Sequence, residues 1–100
     1  MKKAISFTQL ITDFFKAMGN DKRQEILLNI FIDEQEHNIT EVSERANIAQ
    51  STASEHLSFL KRAGVLDSRK VEKEVYYKLN KKKIISTIDE IRSIISCCIK

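Results

Sequence analysis

Asn47-Ile48-Ala49-Gln50-Ser51-Thr52-Ala53-Ser54-Glu55-His56-Leu57-Ser58-Phe59-Leu60-Lys61-Arg62-Ala63-Gly64 decides the reading of this chain. Ala53, Leu57 and Leu60 recur at helical spacing, so a helix is predicted from Gln50 to Ala63, with Gly64 as its stop. Asn47-Ile48-Ala49 makes a tight connection without Gly or Pro, and Ile48 is expected to point into the core. Before it, Asn38 or Thr40 caps a short helix whose apolar positions are Val42 and Ala46. After Gly64 the period changes. Val65–Arg69 and Glu74–Leu79 have strand character, and the charged link Lys70-Val71-Glu72-Lys73 joins them as a hairpin. Two short helices on a tight turn, followed by a basic hairpin, describe a winged helix-turn-helix.

The flanks extend the same pattern. Ser6-x-x-Gln9 reads as a capping box opening a first helix, with Ile5, Leu10, Ile11, Phe14, Phe15 and Met18 as its apolar face. Gly19 ends it, and Asn20 or Asp21 caps a second helix buried through Ile26, Leu27, Ile30 and Phe31. Asp33 to Asn38 is read as a polar loop, with His37 solvated within it. From Asn80 a last helix carries Ile84, Ile88, Ile91, Ile95 and Cys98 as a stripe widened by Ile85 and Ile94. The fold class is therefore mainly α: four helices, a β-hairpin wing and a C-terminal fifth helix. The expected organisation is one domain over 1–100, its first and last helices serving dimerisation.

Composition agrees. With 100 residues there is room for one core, and with 0 Pro and 2 Gly the chain is poor in the turn residues of sandwiches and barrels. No apolar run approaches the ~20 residues of a membrane helix, and polar residues interrupt any leader-like start. The expected setting is the cytoplasm, where two cysteines do not make a disulfide framework. No nucleophile–base pair, phosphate-binding Gly loop or carboxylate dyad is visible, so no enzyme is expected.

The net charge of +3 hides an asymmetry. Residues 1–50 hold 6 basic and 8 acidic side chains, and residues 51–100 hold 11 and 6. Within 61–83 there are 9 basic against 3 acidic, a candidate polyanion footprint on the predicted reading helix and wing.

The chain resembles the ArsR/SmtB-type bacterial repressors over roughly residues 14 to 80. Phe15-Lys16-Ala17-Met18-Gly19-Asn20 with Arg23 and Ile26-Leu27 looks like the family's second-helix entry. Ile48 to Leu57, then Leu60-Lys61-Arg62-Ala63-Gly64-Val65-Leu66, looks like its recognition helix and exit. Val75-Tyr76-Tyr77-Lys78-Leu79 looks like its second wing strand. The sequence departs from the family at Asp21, where Pro is common, and at Ala49, where Ser is. It also carries Glu55 in place of an Arg or His and Glu72 in place of a wing-tip Gly.

The resemblance implies double-stranded DNA as partner and a C2 homodimer reading an inverted repeat. Gln50, Ser51, Thr52 and Ser54 would enter the major groove, where Gln serves adenine and hydroxyls serve base edges or phosphates. Lys61 and Arg62 would reach phosphates, and Arg69, Lys70 and Lys73 the backbone or the minor groove. His56 reads as a structural hydrogen-bonder. The alternative reading is a winged-helix dimer that acts through a protein partner. The family's usual metal positions lack their ligands here: Asn38–Glu44 has no Cys, and the last helix has Asp89 and Glu90 but no His. Cys97 and Cys98 remain as a possible thiol sensor for a soft metal or metalloid effector, or for oxidation. Otherwise Cys98 is a small hydrophobe in the stripe.

Overall fold

Asparagine does much of the punctuation in this glycine-poor chain. The computed structural model describes residues 2–99, with side chains described from Gln9 to Cys97. Its helices are α1 (Lys2–Met18), α2 (Asp21–Asn29), α3 (Ile39–Ala46), α4 (Gln50–Arg62) and α5 (Lys81–Ile99). Its strands are β1 (His37–Asn38), β2 (Leu66–Val71) and β3 (Glu74–Leu79), and a 3-10 turn covers Phe31–Asp33. Asn20 Oδ1 accepts from Arg23 N–H at 3.0 Å and opens α2. Asn38 does the same for α3 through Glu41 N–H at 2.9 Å, and Asn80 for α5 through Lys83 N–H at 3.1 Å. Each side chain satisfies one of the donors that a helix start leaves open.

The two stops around the helix-turn-helix share one geometry. Asn47, at φ 57°, ends α3, with Ile48 N–H bonded to the Ser43 carbonyl at 3.0 Å. Gly64, at φ 82°, ends α4, with its own N–H on Lys61 and Val65 N–H on Leu60 at 2.9 Å. These are Schellman-type closures, with a left-handed residue that Asn or Gly supplies at low cost. The stem of Lys83 lies over Gly64, so a Cβ there would meet Lys83 Cγ at 2.8 Å.

One core joins these elements. Ile26, Leu27, Ile30 and Phe31 are all buried, as their spacing predicts, together with Val42, Ala46, Ala53, Leu57 and Leu60. Ile48 packs against them from the turn.

Several sequence expectations need correction. α1 begins at Lys2, so Ser6 lies inside the helix rather than capping it. The side chains of Ser6 and Ile5 lie outside the described residues. His37 and Asn38 are not loop: they pair with Tyr77 and Tyr76, making a three-stranded antiparallel sheet of order β1-β3-β2. His37 is buried rather than solvated. Its Nδ1 lies 2.7 Å from Glu41 Oε2 and its Nε2 3.0 Å from both Asp33 oxygens, with the Phe31 ring edge-on. Lys70 and Val71 belong to β2, because Val71 pairs with Glu74 and leaves only Glu72 and Lys73 for the turn. Glu72 takes φ 57° there, the conformation for which a wing-tip glycine is usual. On α5 the inward face is Ile84, Thr87 and Ile91, whereas Ile85, Ile88, Ile94 and Ile95 are exposed.

Candidate nucleic-acid interface

α4 turns two faces in opposite directions. Ala53, Leu57 and Leu60 are fully buried, and that fixes the helix against α1, α3 and β2. Ser51, Glu55, Ser58, Lys61 and Arg62 are exposed on its outer side, with Thr52 and Ser54 half-buried beside them. No side chain caps α4 at Ala49, so the first N–H groups of the helix are left to solvent or to an anion. Gln50 donates from Nε2 to Thr40 Oγ1 at 3.3 Å, linking the two helices of the motif at the tip.

The far end of α4 meets the wing. Ser58, Lys61 and Arg62 from the helix face Ser68, Arg69 and Lys70 from β2, with Val75 and Tyr77 from β3 as the floor. They enclose an open cleft of about 620 Å³. Four of the nine residues expected at the DNA surface thus line one cleft, and Gln50, Ser51, Thr52 and Ser54 lie along α4 towards its start. Lys73 sits apart, exposed at the hairpin tip.

Four cations around one cleft are unfavourable unless solvent or an anion screens them. Lys61, Arg62 and Lys70 make no ion pair among the described residues. Arg69 differs: its Nε and Nη2 both donate to Glu36, at 2.5 and 2.9 Å. Arg62 is oriented by stacking, its guanidinium 5.1 Å from the centre of the Phe59 ring. Arg23 covers the same ring at 4.1 Å.

Arg23 connects α1 to α4. Its Nε donates to the Ala17 carbonyl and its Nη2 to the Lys16 carbonyl, both at 2.9 Å, satisfying acceptors that the end of α1 leaves open. Its Nη1 lies 3.3 Å from His56 Nδ1. A guanidinium only donates, so Nδ1 accepts and His56 is the neutral Nε2–H tautomer. The expected structural role of His56 is the observed one. Burial, and then the Arg23 charge, hold the His56 pKa below its ordinary value. The unfolded chain therefore takes up a proton at this site before the folded chain does. Stability from His56 is complete above its unfolded pKa, about 6.5, and falls as the pH drops towards the depressed folded value. Thermal melts of the wild type and His56→Gln between about pH 7.5 and 5.5 should diverge, the wild type losing more stability on acidification. Parallel curves would show that folding does not lower the His56 pKa.

Sequence reasoning missed Ser58 and Ser68 as cleft residues. Ser58 was traceable, falling four residues after Ser54 and seven after Ser51 on the outer face. Glu36, 33 residues from Arg69 in the chain, left no such signal. Lys81 pairs with Glu34 at 3.2 Å at the start of α5. Cys97 is exposed, and the side chain of Cys98 lies outside the described residues. Among the described residues no cluster of three or more His, Cys, Asp or Glu side chains is placed to hold a metal ion. No helix among them is long and apolar enough to cross a membrane.

The family model described as "Bacterial regulatory protein, arsR family" matches residues 20–68, spanning α2 through the start of the wing. The transcriptional activator HlyU of Vibrio cholerae is 34% identical over 74 residues, covering 74% of this chain and 67% of that protein. The cadmium resistance transcriptional regulatory protein CadC of Listeria innocua is 30% identical over 82 residues, covering 82% of this chain and 68% of its own. Among solved structures, a homodimeric winged helix-turn-helix DNA-binding domain from Mycobacterium bovis superposes with a TM-score of 0.74 at 18% identity. It covers 96% of this chain and 87% of that one.

Proposed function

This chain belongs to the arsR family of bacterial regulatory proteins, and from that premise we propose that it is a homodimeric, sequence-specific repressor reading an inverted repeat in DNA. Its family is one of transcriptional regulators, not enzymes, built on a winged helix-turn-helix DNA-binding domain. The observation that carries the finer reading is the cleft between α4 and the wing. Lys61, Arg62, Arg69 and Lys70 converge there from two elements, in line with the hydroxyl-bearing start of α4.

In this reading α4 lies in the major groove. Ser51 and Ser54, with Gln50 and Thr52, address base edges, and Lys61 and Arg62 hold phosphate. Lys70, Lys73 and the hairpin tip follow the adjacent backbone. One protomer addresses one half-site. A second is supplied through the apolar residues that α1 and α5 leave exposed: Leu10 and Phe15 on the first, Ile85, Ile88 and Ile95 on the second. The Mycobacterium bovis domain that shares this fold is itself homodimeric. The whole chain then acts as one cytoplasmic domain with dimerising ends. Repression follows from occupying the promoter. The metal positions usual in the family play no part, and Cys97 and Cys98 are the residues left for an effector.

Ser51→Ala combined with Ser54→Ala tests the reading helix. Each lost hydroxyl contact is worth about 1 kcal/mol, so affinity for the selected operator should fall by at least about 10-fold. Affinity for random duplex should stay the same, as should the melting profile. Unchanged operator affinity would mean that these hydroxyls do not face bases.

A further inference from the structure

Among the described residues, Arg69 is the one cation lining the cleft that is held by a carboxylate. Its side chain is 63% exposed, yet two of its nitrogens are held by both oxygens of Glu36. That fork is the same edge an arginine offers to phosphate. Lys61, Arg62 and Lys70, lining the same cleft, pair with no carboxylate among the described residues.

Glu36 is presented by an anchored segment. Asp33 Oδ1 accepts from Gln35 N–H at 2.7 Å, Glu34 pairs with Lys81 at 3.2 Å, and His37 is buried between Asp33 and Glu41. The pairing of His37 with Tyr77 joins this segment to the wing sheet, in which Tyr77 also faces Ser68. The carboxylate is therefore held beside the wing rather than drifting near it.

We propose that Glu36 is a specificity-determining residue: it withholds Arg69 from DNA that does not seat the wing, and so suppresses non-specific binding. This rests on the DNA-binding reading above. A loosely bound duplex keeps its phosphates too far from Arg69 to displace a bidentate carboxylate. A fitted operator brings a phosphate to the fork, and Glu36, itself partly exposed, returns to water. The exchange lets Arg69 contribute on the correct site and not on others.

The test measures wild type, Glu36→Gln, Glu36→Ala, Arg69→Ala and the Glu36→Gln/Arg69→Ala double variant on a random-sequence duplex and on the selected operator, over a salt series. Far-UV circular dichroism and melting confirm that each variant is folded. One freed phosphate contact per protomer, two per dimer, steepens the slope of log K against log salt by about 1.8. Both Glu36 variants should therefore bind random duplex about 3- to 10-fold tighter at about 0.1 M salt, with a steeper slope. Operator affinity should change less, so the specificity ratio falls. Arg69→Ala, added to Glu36→Gln, should abolish the gain. A gain that survives Arg69→Ala would reduce Glu36 to a bulk charge effect and overturn the proposal. So would weaker binding by folded Glu36 variants, which would make Glu36 a prop for the wing. If the wild type binds neither duplex at low salt, the DNA-binding reading itself has failed. Wild-type binding with no change on Glu36 substitution sinks the present inference alone.

Discussion

Ile88→Glu combined with Ile95→Glu should convert the protein into a folded monomer with operator affinity lower by about 10²- to 10⁴-fold. Ile88 and Ile95 are 49% and 50% exposed on a face of α5 that the core does not use, because Ile84, Thr87 and Ile91 already fill the inward side. The substitutions therefore leave no cavity and bury no charge within one chain. Across a two-fold interface they place four carboxylates in an apolar contact without partners, which opposes association strongly. Binding two half-sites through one dimer makes the second contact intramolecular, and losing that linkage accounts for the size of the fall. Sedimentation equilibrium at micromolar concentration gives the oligomeric state, and circular dichroism gives the fold. A dimer that persists in the double variant would remove α5 from the interface.

Lys61→Glu combined with Arg62→Glu should reduce binding to any duplex by at least about 100-fold at about 0.1 M salt. Both side chains are exposed at the end of α4, facing Arg69 and Lys70 of the wing across the cleft. Neither makes an ion pair among the described residues, so reversing them breaks no salt bridge there. A dimer loses about four phosphate contacts and gains four repulsions, and the salt slope should fall by about 3 to 4. Because phosphate contacts carry no base information, operator and random duplex should suffer alike. That separates this pair from Ser51 and Ser54, whose loss is felt on the operator alone. Fluorescence anisotropy with both duplexes makes the comparison. Unchanged affinity would mean that the end of α4 does not face the backbone.

The helix-turn-helix was legible because each of its features is local. Ile48, Leu57, Leu60 and Gly64 act through spacing and backbone conformation within a few residues of one another. Two things were not legible. α5 carries two overlapping apolar stripes that share helical spacing, and hydrophobicity alone does not say which one faces the core; the inward set includes Thr87. β1 is two residues long, too short for alternation to show, and its His37 is buried among Phe31, Asp33 and Glu41, which chain distance and polarity do not announce. The candidate interface divides in the same way. Lys61, Arg62 and Lys70 could be read from charge on a helix and a wing. The capture of Arg69 by Glu36 depends on a sheet pairing between distant segments. The resemblance marked Glu72 as the wing-tip position, and its positive φ is the conformation that a glycine would take there.

A homodimer of this chain should read a two-fold DNA site through α4 and the wing. Selection of duplexes from a random pool by the purified full chain, followed by affinity measurement over a salt series, tests it most directly. An inverted repeat with half-site centres about one helical turn apart should be enriched, and log K should fall linearly with log salt. No enriched sequence and no binding even at about 50 mM salt would contradict it, and would turn attention to a protein partner on the same surface.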